Sequence, residues 1–87
     1  MQLQPYKRTP TFTEDTVPAG LLREHSTKAG VYGRICVESG RLRYTDADGE
    51  RVLEEGDVVV TQPEQLHAVQ PLGSVRFYVA FCRLSDT

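Results

Sequence analysis

The chain has 87 residues, 39% of them hydrophobic and 25% charged, with 10 basic against 12 acidic side chains and a net charge of −2. That length predicts a single domain, since domains are typically about 100–150 residues, and it leaves no room for a nucleotide-binding domain beside a substrate domain. The small, dispersed charge excludes a nucleic-acid footprint, and apolar runs such as Val58-Val59-Val60 fall far short of the roughly 20 residues of a membrane span.

The opening Met1-Gln2-Leu3-Gln4-Pro5-Tyr6 has no apolar stretch of the secretory kind, so a cytoplasmic location is expected. Residues 1–12, with Pro5 and Pro10, read as an extended N-terminal arm or an edge strand. Turn signals then recur at short intervals: Pro18-Ala19-Gly20, Lys28-Ala29-Gly30, Ser39-Gly40, Asp48-Gly49, Glu55-Gly56 and Pro71-Leu72-Gly73. Between them, residues 32–38 and 57–61 read as strands, the second ended by Pro63. Arg41-Leu42-Arg43-Tyr44 and Arg51-Val52-Leu53 read as a hairpin, with Asp48-Gly49 supplying the positive φ values of its turn. In the last run Val75, Phe77, Val79 and Phe81 alternate, so they share one sheet face. About seven or eight short strands and no helix predict an all-β jelly roll or barrel. Cys36 and Cys82 form no CxxC pair, and both are expected to be buried thiols.

The chemistry available to such a barrel is limited. The chain has two histidines, His25 and His67. Imidazole is the commonest protein metal ligand, and two strand-borne rings facing one cavity begin a site. Arg23 shares parity with His25 and either binds an oxyanion at the barrel mouth or forms a rim salt bridge. Glu64 precedes His67 in a loop and either swings in as a ligand or stays in water. Glu24, adjacent to His25, is expected in a surface ion pair. Tyr32, Tyr44 and Tyr78 are candidate pocket walls or core residues. No catalytic triad can be built from these residues.

Residues 25–40 resemble the first motif of the cupin superfamily, and residues 56–67 resemble the second, with Gly56, Pro63 and a closing His67. The resemblance implies a small cupin-type jelly-roll barrel whose motif residues point inward and commonly hold one divalent metal. By position His25 and His67 match two of the ligands. Thr27 stands where a second histidine would be, and Gly33 where a glutamate would be.

A resemblance spanning nearly the whole chain adds detail. Tyr6-Lys7-Arg8-Thr9-Pro10, Thr16-Val17-Pro18-Ala19-Gly20-Leu21-Leu22, His25-Ser26-Thr27-Lys28-Ala29-Gly30-Val31-Tyr32-Gly33-Arg34, Pro63-Glu64-Gln65-Leu66-His67 and Val75-Arg76-Phe77-Tyr78-Val79 are similar to the TehB/YeaR-like cupin family. Ala80 falls where relatives often carry an acidic residue. Some members place this domain ahead of a methyltransferase, but methyl transfer needs a doubly wound domain with a glycine-rich turn, and the 87 residues contain none.

These features imply a cytoplasmic protein that binds a divalent metal (zinc, nickel or iron) or a small oxyanion at His25 and His67, with Arg23, Thr27, Tyr32 and Glu64 around the pocket. An accessory or sensing role in tellurite or related oxyanion stress, and a homodimeric state, are the expectations that accompany it. One alternative is a non-catalytic dimeric interaction module without metal. The other is a metal-dependent oxygenase or isomerase, which needs a third protein ligand.

Overall fold

In the computed structural model, which describes residues 1–86, six strands form one antiparallel sheet. They are β1 (Gln2–Arg8), β2 (Phe12–Thr13), β3 (Tyr32–Asp46), β4 (Gly49–Leu53), β5 (Val58–Thr61) and β6 (His67–Ser85), with one 3-10 turn at Ala19–Leu22. β3 and β6 pair from Tyr32 opposite Cys82 to Asp46 opposite His67. β1 and β2 join the far side of β6, while β4 and β5 join the far side of β3. The N-terminal residues are thus an edge strand along the C-terminal half of β6.

The strands are fewer and longer than the turn signals predict. Ser39-Gly40 and Pro71-Leu72-Gly73 do not end strands; both lie inside continuous ones, as irregularities of the β3–β6 ladder. Gly40 and Gly73 take φ of 77° and 80° there, so the chain bends without breaking the pairing. Glu38 is one residue more than β6 can match between Val37 opposite Phe77 and Ser39 opposite Arg76. The extra residue reverses parity: β3 buries Gly33, Ile35 and Val37 before the bulge, and Leu42 and Tyr44 after it. The hairpin is also shifted from its expected position. Asp46 pairs with Gly49 around Ala47-Asp48, and of the Asp48-Gly49 pair only Gly49 has a positive φ, 126°.

Leu42, Val75 and Phe77 are fully enclosed, with Ile35, Val37, Leu53, Val59, Val69 and Val79 around them. Phe12 closes this core from the β2 side, its ring edge-on to Phe77 at 5.7 Å. Val75, Phe77, Val79 and Phe81 do share one face, and Phe81 is the one left half-buried, at the cavity. Both cysteines are free thiols; Cys82 is fully buried, whereas Cys36 is only half-buried opposite Tyr78.

Gly40 packs directly against the β6 backbone at Ser74 and Val75. A Cβ there would collide with the Ser74 carbonyl oxygen and stand 2.8 Å from Val75 Cα, both backbone atoms. Gly40→Ala is therefore expected to destabilise the domain by about 3 kcal/mol or more, adding positive-φ strain to overpacking. Chemical denaturation measures this, with Gly20→Ala, in open space, as the near-neutral control.

Candidate functional site

The concave face of β3 and β6, the end of β1 and the segment from Pro18 to Val31 line a cavity of about 600 Å³. That falls in the roughly 300–1,000 Å³ range of small-molecule pockets. Ile35, Val69, Phe77, Val79 and Phe81 make apolar walls, and His25, Thr27, Thr61 and His67 contribute polar groups.

His25 and His67 meet through the backbone first. Each N–H donates to the other's carbonyl at 2.9 Å, a two-bond antiparallel bridge that staples residues 23–27 to the start of β6. Residues opposed in such a bridge present their side chains on the same face. The two rings accordingly meet edge to face with centroids 4.2 Å apart.

The rings are also oriented alike. His25 Nδ1 lies 3.0 Å from the Arg23 carbonyl, and His67 Nδ1 lies 2.9 Å from the Gln65 carbonyl. A carbonyl only accepts, so each Nδ1 carries the proton and donates it, and in the neutral ring each Nε2 keeps a free lone pair. Tying Nδ1–H to a carbonyl is the usual support of a metal-binding imidazole. The donor chemistry thus fits a borderline metal that accepts nitrogen, but with two protein ligands instead of the three or four of a dedicated site. Among the described residues no group of three or more His, Cys, Asp or Glu side chains converges to hold a metal.

Burial holds the His67 imidazolium below its ordinary pKa of 6.5, and the neighbouring His25 adds to the effect, against an opposing bond to the Gln65 carbonyl and the Asp46 charge. Tyr44 stacks beside His67 at 6.0 Å. Its buried hydroxyl has no hydrogen-bond partner among the described residues. Burial, aided by the Asp46 carboxylate, raises that phenol far above its usual range.

The remaining candidates separate. Thr27 lines the cavity, but its hydroxyl is committed to the Val31 carbonyl at 2.6 Å. Arg23 is exposed and not among the lining residues; its contribution is the carbonyl that orients His25. Among the described residues neither Arg23 nor Glu24 has a salt-bridge partner, and the one ion pair is Arg43–Glu50 at 3.9 Å. Tyr32 pairs with Cys82 on the outer face, one residue out of phase with the lining Gly33. Tyr78 also faces outward, beneath the Arg8 guanidinium at 3.7 Å. Glu64 is exposed and does not reach the cavity; it takes a left-handed φ of 63°, and its N–H bonds the Thr27 carbonyl at 3.0 Å. Its carboxylate therefore supplies no third ligand, while its backbone ties the two histidine-bearing segments together.

Gly33, at the expected glutamate position, is closed to a side chain. A Cβ would stand 2.6 Å from Thr61 Oγ1, which itself accepts the Gly33 N–H at 3.1 Å. Thr61, which the sequence reading passed over, is 1% exposed and takes the place where a glutamate would start. Three lining cations, Lys7, Lys28 and Arg83, were also missed, because they come from three segments with no shared motif.

The buried, neutral His67 has a consequence for stability. Its folded pKa is depressed, so the unfolded chain binds more protons below the ordinary value of 6.5. The stability it contributes is whole above that pH and is lost as pH falls through the folded value. Denaturation midpoints followed from neutral pH downward are expected to decline below about 6.5, and His67→Gln to decline less steeply over that interval.

Comparison with known proteins agrees with this architecture. A relative, the probable S-adenosyl-L-methionine-dependent methyltransferase TehB of Haemophilus influenzae, is 28% identical over 74 residues, covering 77% of this chain and 26% of that protein. The crystal structure of Haemophilus influenzae TehB superposes with a TM-score of 0.84 at 27% identity over 93% of this chain and 32% of that one. The chain thus spans about a quarter to a third of TehB. The uncharacterized protein YeaR of Escherichia coli K12 is 28% identical over 90 residues, covering 85% of this chain and 76% of YeaR. A cupin protein from Bacteroides fragilis shares the fold, with a TM-score of 0.64 at 20% identity over 79% of this chain and 59% of that one. The model of the TehB-like domain matches residues 7–79, and the chain belongs to the TehB-like domain family, with a cupin fold.

Proposed function

We propose that this cupin-fold domain is a binding module that holds a divalent transition metal on Nε2 of His25 and His67, leaving the other positions open to solvent or to a small ligand in the cavity. The observation that carries the reading is the matched pair of imidazoles, each with Nδ1–H tied to a backbone carbonyl and both lining one cavity. Bound there, zinc, nickel or iron would supply a Lewis-acidic centre for an oxyanion or thiol. With two protein donors in place of the three of a typical catalytic zinc site, binding is favoured over catalysis. An accessory or sensing role in oxyanion stress, which the resemblance to the TehB type implies, fits a site with open positions.

A second reading, a dimeric interaction module, is favoured by Val58 and Val60, 50% and 38% exposed on β5, and by Val52 on β4. These strands have β3 on one side only, and an open apolar strand invites pairing with a second copy. Sedimentation velocity at low micromolar concentration is expected to give a dimer that Val58→Lys converts to monomer; a wild-type monomer would remove this reading.

The metal reading is tested by zinc and nickel titration of the metal-free protein. His25→Ala and His67→Ala are each expected to weaken binding by about tenfold or more, the effect of losing one of two ligands. Affinity that is negligible in the wild type, or unchanged in both variants, would discard it.

A further inference from the structure

The side chains around the cavity are segregated by charge. Among the described residues that line it there is no Asp or Glu, although the chain carries 12 of them against 10 basic residues. Three cations line it instead: Lys7, Lys28 and Arg83. None of the three has a salt-bridge partner among the described residues.

The fold brings them together by separate means. In β1 the ladder to β6 shifts between Pro5 opposite Cys82 and Lys7 opposite Phe81, leaving Tyr6 as an extra residue. Such a bulge re-aims side chains. As a result Tyr6 and Lys7, although adjacent, both line the cavity. Arg83 stands two residues beyond Phe81 on the same face of β6, with its guanidinium 5.0 Å from the centre of the Tyr6 ring. Lys28 opens the turn that its carbonyl closes onto the Val31 N–H at 3.0 Å, with Gly30 at φ 78°. All three are exposed, so they mark the mouth, while Ile35, Phe77, Val79 and Phe81 form the interior.

From this arrangement we propose that the cavity's ligand is a small amphipathic anion, with an apolar body packed against Ile35, Phe77, Val79 and Phe81 and an anionic head met by Lys7, Lys28 and Arg83. Apolar walls discriminate poorly among heads, so the sign of charge is read at the mouth. The inference rests on the reading of this cavity as the binding site, and not on a metal being there. A carboxylate or similar oxyanion head suits the guanidinium of Arg83 in particular, since its planar fork matches two oxygens.

Calorimetric titration of the whole chain with octanoate, 1-octanol and octylamine, at low salt with a chelator present, tests it. Octanoate is expected to bind, and the neutral alcohol and the amine to bind about tenfold more weakly or worse, as three exposed charges acting together would dictate. The preference is expected to shrink at 1 M salt, where screening acts within about 3 Å. The double variant Lys28→Gln/Arg83→Gln changes only exposed positions and is expected to keep the wild-type unfolding midpoint while losing about tenfold in octanoate affinity. Equal binding of octanol and octanoate, octanoate binding unaltered in the double variant, or no octanoate binding would each overturn the inference. Zinc titrations run alongside separate the two readings. Octanoate selectivity without zinc uptake upholds the anionic ligand and removes the metal; zinc uptake without octanoate selectivity does the opposite.

Discussion

The antiparallel ladder between β3 and β6 runs from Tyr32–Cys82 to Asp46–His67, and every other strand attaches to one of its two outer edges. Its geometry is set by a few residues that interrupt regular pairing. Glu38 bulges out and exchanges the buried face of β3 from odd to even positions, so a strand of 15 residues can wrap a core without exposing its apolar side. Gly40 lets the two backbones approach at the bend, where no side chain fits. With those two features in place, Leu42, Val75 and Phe77 fill the interior, and a cavity remains at the end that β1 and the segment before β3 enclose.

His67, from the opposite end of the same ladder, also lines that cavity, and a two-bond backbone bridge sets His25 beside it. The pairing of the imidazoles is therefore a product of main-chain hydrogen bonding, with ring orientation set by two more carbonyls. That no third acidic or imidazole side chain stands beside the two rings among the described residues has an equally physical cause. Thr61 fills the space opposite Gly33 and bonds its N–H, and Glu64 spends its unusual backbone conformation on holding two loops together. What the cavity has in place of acidic ligands is an apolar interior with a cationic mouth.

Much of this was legible in the residues. The alternation of Val75, Phe77, Val79 and Phe81, the hairpin around residues 46–49 and the spacing of Gly56, Pro63 and His67 are local patterns, and local patterns survive folding because strand parity is fixed by stereochemistry. The histidines were legible for the same reason. Other expectations failed where a local signal had two meanings. Ser39-Gly40 and Pro71-Leu72-Gly73 have turn chemistry, yet a glycine at positive φ serves a bulge as well as a turn. Tyr32 was a plausible wall until its pairing with Cys82 put it on the outer face, and Arg23 turned its backbone, not its guanidinium, to the site.

Alternation and turn residues alone determined an all-β fold and a face of β6 that would be buried, and the resemblance of the motifs implied a cupin-type barrel with His25 and His67 side by side. Only the tertiary structure decided that the rings lie 4.2 Å apart, that Thr61 blocks a side chain at Gly33 and that Lys7, Lys28 and Arg83 line one cavity. Those outcomes depend on register between strands distant in the chain. A single extra residue, such as Tyr6 in β1 or Glu38 in β3, changes which side chains share a face, and nothing in the composition of either segment records the shift.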